Sequence, residues 1–249
     1  MPRRPVRAPR AVARHLPGPR RRLAWPAGLA LLLGLLLAAP LAAPAAAQVK
    51  PFRPPFAAPP GPGSWFVSQW YGATVYAARN WPEWYAAGQG VHFGVDLAAR
   101  CGSEVVAIGD GVIAAVDGPY GSAPHNLVIR HPNGFASLYG HLLERPSWQV
   151  GQYVAAGTPV ARTGDSDAPS CDRAPHLHLE IRYDAMRRTT NPVHLIALEW
   201  ADATLGIRDQ GTTFTVDLDQ PDRWQTIYDQ PDVVFGGPVF LRFSRIWPP

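Results

Sequence analysis

Between residues 64 and 192 this chain contains only short β-type runs, each cut off by Gly, Pro, Asn or Asp. Examples are 104–108, 111–116, 126–131, 135–141, 159–163 and 176–182. No long stretch carries the 3.6-residue apolar period of a helix. The chain is therefore expected to be mainly β, with antiparallel sheets. One hairpin is nearly explicit. Runs 126–131 and 135–141 flank Pro132-Asn133-Gly134, and Asn-Gly between β-type runs favours a type I′ turn with both turn residues at positive φ. Strand alternation puts Phe135, Ser137, Tyr139 and His141 on one face, so the hairpin can deliver His141 to a site on the sheet.

The flanks read differently. Residues 1–47 hold eight arginines and no acidic residue, then an apolar Leu/Ala run, then Ala45-Ala46-Ala47. That layout predicts a secretory signal peptide cleaved after Ala47; an uncleaved membrane anchor is the alternative, since the apolar stretch approaches spanning length. Without this segment 15 basic residues face 19 acidic ones, so the formal charge of +4 says nothing about nucleic-acid binding. No basic patch interleaved with aromatics stands out, and a nucleic-acid partner is set aside. The expected location is secreted, periplasmic or cell-wall associated. Residues 48–63 are rich in Pro and Gly and read as an extended linker, with order beginning near Ser64. Residues 196–249 read as a small β-rich C-terminal extension, marginal as an independent domain. In an exported chain the two cysteines, Cys101 and Cys171, suggest a disulfide. It would close a loop of about 70 residues, a constraint of roughly 4 kcal/mol in the chain-entropy model, and tie together two segments rich in histidine and aspartate.

Those segments are His92-Phe93-Gly94-Val95-Asp96 and His176-Leu177-His178. Two imidazoles and a carboxylate form a ligand set for catalytic zinc, with a fourth position left for water. On a strand, His176, His178 and Glu180 point to one side and Leu177, Leu179 and Ile181 to the other. Histidines at i and i+2 stand about 6.5–7 Å apart along a strand, a spacing that suits two different jobs: one ring holds the metal, its neighbour addresses the metal-bound water. His92 and Asp96 would be about 13 Å apart in a straight strand, whereas zinc ligands lie about 2 Å from the ion. The chain must bend between them, and Gly94 is the residue that permits it. Glu180 reads either as a residue orienting a histidine from behind or as a solvated strand residue. His125, His131 and His194 read as structural or loop residues, and Tyr139 as a packed hairpin residue. Trp65, Trp70, Trp81 and Trp84 read as packing, with a substrate-lining role for some of the rings as the alternative.

Taken in order, HFGVDL at 92–97, AIGDGV at 107–112, NLVIRH at 126–131, LYGHL at 138–142, VGQYV at 150–154, HLHLE at 176–180 and Asn191-Pro192 resemble the lysostaphin-type zinc endopeptidases of peptidase family M23, which cut peptide bonds in bacterial cell walls. The resemblance covers residues 64–195. It implies a peptidase domain whose antiparallel sheets form an open groove, zinc held by His92, Asp96 and His178, catalytic roles for His141 and His176, and peptidoglycan peptides as the substrate. All five positions are filled, whereas the non-cleaving members that act as activators usually lack one; a non-catalytic wall-binding or regulatory module is the alternative function. With no HExxH helix to supply a glutamate base, a histidine must take the proton from water. His141 and His176 are both candidates, one for proton transfer and one for the tetrahedral oxygen, and which does which stays open. Segments 118–125 and 164–175 are longer than the family's usual ones and are expected on loops that bear on substrate choice.

Overall fold

The computed structural model describes residues 49–166, 171–204, 215–216 and 224–238, all within the compact unit Gln48–Pro249. The expected signal peptide or anchor at 1–47 lies outside the described residues. Among the described residues no helix is long and apolar enough to cross a membrane.

The strands are β1 (Trp65–Gln69), β2 (Val95–Ala99), β3 (Glu104–Val106), β4 (Gly111–Val116), β5 (Leu127–Arg130), β6 (Ala136–Gly140), β7 (Tyr153–Val154) and β8 (Pro159–Arg162). They continue with β9 (His176–Tyr183), β10 (Arg188–Thr190), β11 (Thr215–Val216), β12 (Trp224–Gln225) and β13 (Val233–Val234). Among the described residues helix is confined to α1 (Val75–Arg79), capped by the Thr74 hydroxyl accepting from Ala77 N, and a single 3-10 turn at Pro192–His194. The main sheet runs β1-β2-β9-β6-β5-β4-β7, and β10 and β13 extend it beside β9. The strand pairs are antiparallel, as expected of a sheet built from hairpins and short connections.

Among the described residues β9 is the longest strand, and its neighbours set the architecture. β6 pairs along one edge, while β2 takes the His176–Leu179 half of the other edge and β10 the Ile181–Tyr183 half. Partners directly opposite share a face. Leu177, Leu179 and Ile181 therefore bury against Val95, Leu97 and Tyr139 in the main core. The reverse face carries His176, His178, Glu180 and Arg182, opposite Ala98 and Asp96 on β2 and Gly140, Leu138 and Ala136 on β6. The Cys101–Cys171 disulfide links the ends of β2 and the approach to β9, with Cα atoms 5.8 Å apart.

The structure corrects three expectations. Order begins before Ser64: Phe52 and Phe56 are buried in the main core, and the backbone of Phe52 bonds to Leu195 and Ala197. Prolines keep this strand-like strap out of regular structure, but its phenyl rings still find apolar partners. Second, the hairpin turn is not type I′, because Gly134 alone among its residues has positive φ (+87°). His131 N bonds to Phe135 O and Gly134 N to His131 O, which makes a three-residue loop with a left-handed glycine at its end. Third, His141 does not share the core-facing side of Ser137 and Tyr139. It lies one residue beyond β6 at φ +56°, and this left-handed step carries its ring to the opposite face, 4.8 Å from the His176 ring.

Of the tryptophans, Trp65 and Trp70 pack in the core while Trp81 and Trp84 are exposed. β13 pairs with β10, so the described part of the C-terminal segment adds a strand to the main sheet. His131 is buried as a structural residue, its Nδ1 donating to Asp110 O and its Nε2 facing Ser137 Oγ at 2.9 Å. The Tyr139 hydroxyl accepts from Ile108 N at 2.8 Å in the same network.

Two predictions follow from this packing. Phe52→Ala should lower stability by about 3–5 kcal/mol, measured by urea unfolding; a cost near zero would mean the strap contributes nothing. Burial, opposed only in part by the Asp110 carbonyl, lowers the His131 pKa. A folded pKa below the unfolded value of about 6.5 gives stability that is complete above that pH and declines as pH falls through the folded value. Relative to His131→Gln, the unaltered chain should lose stability more steeply on acidification below that pH; parallel slopes would refute it.

Candidate metal centre

The site is made by register. Asp96 sits opposite His178 in the β2–β9 pair, and His176 sits opposite Ala98. Asp96 Oδ1 lies 2.7 Å from His178 Nδ1. His92 precedes β2 and is fixed by paired backbone bonds with Gly72, which place its Nε2 3.2 Å from Asp96 Oδ1 and 3.1 Å from His178 Nδ1. The bend that the sequence demanded between His92 and Asp96 is therefore present, but Gly94 does not serve it through positive φ. Gly94 is needed for space: a Cβ there would stand 2.6 Å from His178 Cε1 and 2.9 Å from Leu179 O.

Three ligand atoms about 3 Å apart fit one tetrahedral ion with bonds of roughly 2 Å, whose ligand–ligand edge is about 3.3 Å. The backing of each ring fits as well. His92 Nδ1 donates to Trp70 O at 2.8 Å, leaving Nε2 as the lone-pair atom. His178 Nε2 donates to Glu180 Oε1 at 3.2 Å, leaving Nδ1. Tautomers are inferred from these partners. His92, Asp96 and His178 are all buried, and they form a group able to hold a metal ion. Glu180 is fully buried rather than solvated, the first of the two sequence readings.

The electrostatics point the same way. Burial raises the Asp96 pKa, but His92, His176 and His178 outweigh it and hold the carboxyl well below the usual range. Burial also opposes ionisation of Glu180, and the hydrogen bond from His178 with the Arg182 charge overcomes it. Burial lowers the His178 pKa, yet its bonds to these two carboxylates lift it to about 9. The paired carboxylates thus demand a cation between them, either a proton on His178 or a divalent ion at its Nδ1, and the two compete.

His141 and His176 stand beside this group. Their rings are 4.8 Å apart, and His141 is 5.6 Å from His178. Each donates Nδ1, His141 to Ala123 O and His176 to Ala174 O at 2.8 Å. Nε2 is then the accepting atom of each, and that of His176 lies 3.9 Å from Asp96 Oδ2. Burial, then the His178 and His176 charges, push the His141 pKa down to about 3, so this ring is neutral. The five residues marked in the sequence therefore converge on one face. His125 pairs with Asp117 and His194 with Tyr228 O, both away from the cluster's bonds.

Sequence reasoning missed several supports. Tyr85 packs edge-on to the His92 ring at 5.9 Å and bonds Gln69; burial first, then the Asp96 charge, raises the Tyr85 pKa and keeps the phenol protonated. Arg182 carries the other carboxylate. Its signal was available, because the alternation that groups His176, His178 and Glu180 continues to it.

The antiparallel sheet thus gathers a His–Asp–His cluster able to hold a metal ion beside two further imidazoles. Residues 90–192 match the model of peptidase family M23. The chain is similar to the DD-carboxypeptidase/endopeptidase Mpg of Neisseria meningitidis serogroup B, 36% identical over 105 residues, 41% of this chain and 22% of that protein. It is also similar to the murein hydrolase activator NlpD of Escherichia coli, 26% identical over 133 residues, 50% of this chain and 32% of that protein. Among solved structures, the catalytic domain of lysostaphin from Staphylococcus simulans is 26% identical with a TM-score of 0.36, covering 42% of this chain and 77% of that one. The chain spans no more than about a third of the length of these two curated relatives.

Gly94→Ala should fold yet bind metal about 10–100-fold more weakly, because the added methyl displaces the His178 ring; unchanged affinity in a metal titration would refute the close approach.

Proposed function

We propose that the chain is an exported zinc metalloendopeptidase that hydrolyses peptide bonds in peptidoglycan stem peptides or cross-bridges. The observation that carries this reading is the convergence of His92 Nε2, Asp96 Oδ1 and His178 Nδ1 to within 3.2 Å, with the Nε2 atoms of two further histidines on the same face. The three residues would hold zinc, which when bound supplies a Lewis acid for the scissile carbonyl and an acidified water. One anionic ligand leaves the site with net positive charge, which favours a developing oxyanion.

The chain's own part is proton movement. With Nδ1–H committed to a backbone carbonyl, the free ring atom of His141 and of His176 is Nε2, and it can accept a proton there. Either ring can take a proton from the attacking water, and only then can it donate, to the leaving amine or the tetrahedral oxygen. The backbone carbonyls of Ala123 and Ala174 fix the tautomer that makes this order of events necessary. Likeness to a DD-carboxypeptidase/endopeptidase supports the substrate class. Likeness to a murein hydrolase activator gives the second reading, a zinc-binding regulator without turnover, which the retention of both accepting histidines argues against.

Purified protein incubated with peptidoglycan should release new peptide ends, detected by mass spectrometry, and a chelator should stop it; one bound zinc with no new ends would favour the regulator. His178→Ala should abolish zinc loading. His141→Ala should keep zinc and lose turnover by about 10²–10⁴-fold; equal zinc loss in the two variants would overturn these assignments.

A further inference from the structure

We propose that Arg182 is a positioning residue that couples the metal-ligating His178 to the proton-transferring His141, and that Phe235 locks its guanidinium in place. The proposal rests on the metal-site reading above and deepens it.

Arg182 is buried on β9, two residues beyond Glu180. A buried guanidinium needs its donors met, and the way they are met is specific. Nε donates to Glu180 Oε2, and Nη2 donates to Glu180 Oε1 at 3.1 Å and to Tyr120 O at 3.1 Å. The first branch is short. Glu180 Oε1 also accepts from His178 Nε2, so the guanidinium fixes the carboxylate that fixes the ring whose Nδ1 faces Asp96.

The second branch runs through a loop. Tyr120 lies in the 117–126 connection, which the Asn126 side chain closes by bonding Gly118 N, Gly118 O and Gly121 O. Within that closed loop Ser122 O accepts from His141 N at 3.0 Å, and Ala123 O accepts from His141 Nδ1. Arg182 therefore anchors, three residues away, the carbonyl that sets the His141 tautomer. Gly140 allows the loop to lie this close, since a Cβ there would stand 2.3 Å from Ser122 Cβ.

The planar faces are also used. The guanidinium carbon lies 5.4 Å from the Tyr120 ring and 4.5 Å from the Phe235 ring. Phe235 packs edge-on to Phe93 at 5.6 Å, and Phe93 edge-on to His178 at 5.6 Å. Phe235 belongs to a segment beyond the 90–192 family match, so the C-terminal part of the chain supports the site directly. A lysine ammonium keeps the charge but has neither the fork nor the plane needed to hold both branches.

The test uses the full chain, zinc as the probe, and the variants R182K, E180Q and F235L. Zinc affinity is measured by competition with a chromophoric chelator, and the His141 imidazole by heteronuclear NMR of the zinc-loaded protein. E180Q cuts only the first branch: zinc affinity should fall about tenfold or more, with the His141 Nδ1–H signal unmoved. R182K should lose zinc affinity comparably and also shift or lose that signal. F235L removes no hydrogen-bonding group and should move both readouts in the direction of R182K by less; if R182K does not fold, F235L decides. A folded R182K, or F235L in its place, with unaltered zinc affinity and an unaltered His141 signal overturns the proposal. So does an E180Q variant that disturbs His141 as much as R182K does. Neither readout requires cleavage, so a zinc-binding chain that leaves peptidoglycan intact would sink the proposed function alone.

Discussion

One antiparallel register, Asp96 opposite His178, carries the site and much of the sheet. Side chains alternate along a strand, so a slip of one residue between β2 and β9 would turn Asp96 away from His178. The same slip would expose Leu97 and Leu177, which are fully buried on the other face. Core burial thus enforces the geometry of the site: the apolar cost of a wrong register protects a polar arrangement that has little stability of its own.

That polar arrangement is expensive. Asp96, His178, Glu180 and Arg182 are all buried, and burial opposes the charge on each carboxylate. Desolvated charges are tolerated only when paired and hydrogen-bonded in good geometry. Here each is met in series, from Asp96 through His178 and Glu180 to Arg182. Removing one member would leave its neighbour buried and unpaired, which is why such a chain is better understood as an orienting device for a cation than as a source of stability.

Much of this could be read from the residues. The alternation in His176-Leu177-His178-Leu179-Glu180 assigned both faces of β9 correctly, because a strand buried on one side and functional on the other must alternate. The hairpin around Pro132-Asn133-Gly134 was legible, but its turn type was not: a three-residue loop lets Gly134 alone supply the left-handed step. The reading of 48–63 as a linker weighed proline over phenylalanine, and Phe52 and Phe56 found core partners that composition cannot reveal. The position of His141 defeated simple alternation, because a single left-handed residue past the end of β6 reverses the side to which its ring points.

The sequence by itself determined the β class, the supply of four histidines and one aspartate for the site, and the cysteine pair. These depend on local properties: periodicity, turn chemistry and residue type. Only the tertiary structure decided that His92 and His178, 86 residues apart, would meet around Asp96. It alone also decided that Glu180 would be buried, that Ala123 and Ala174 would fix two tautomers, and that Phe235 would reach Arg182 from far along the chain. The reason is that such contacts are set by strand order and register, which arise from the packing of the whole core and leave no mark on the spacing of any one segment.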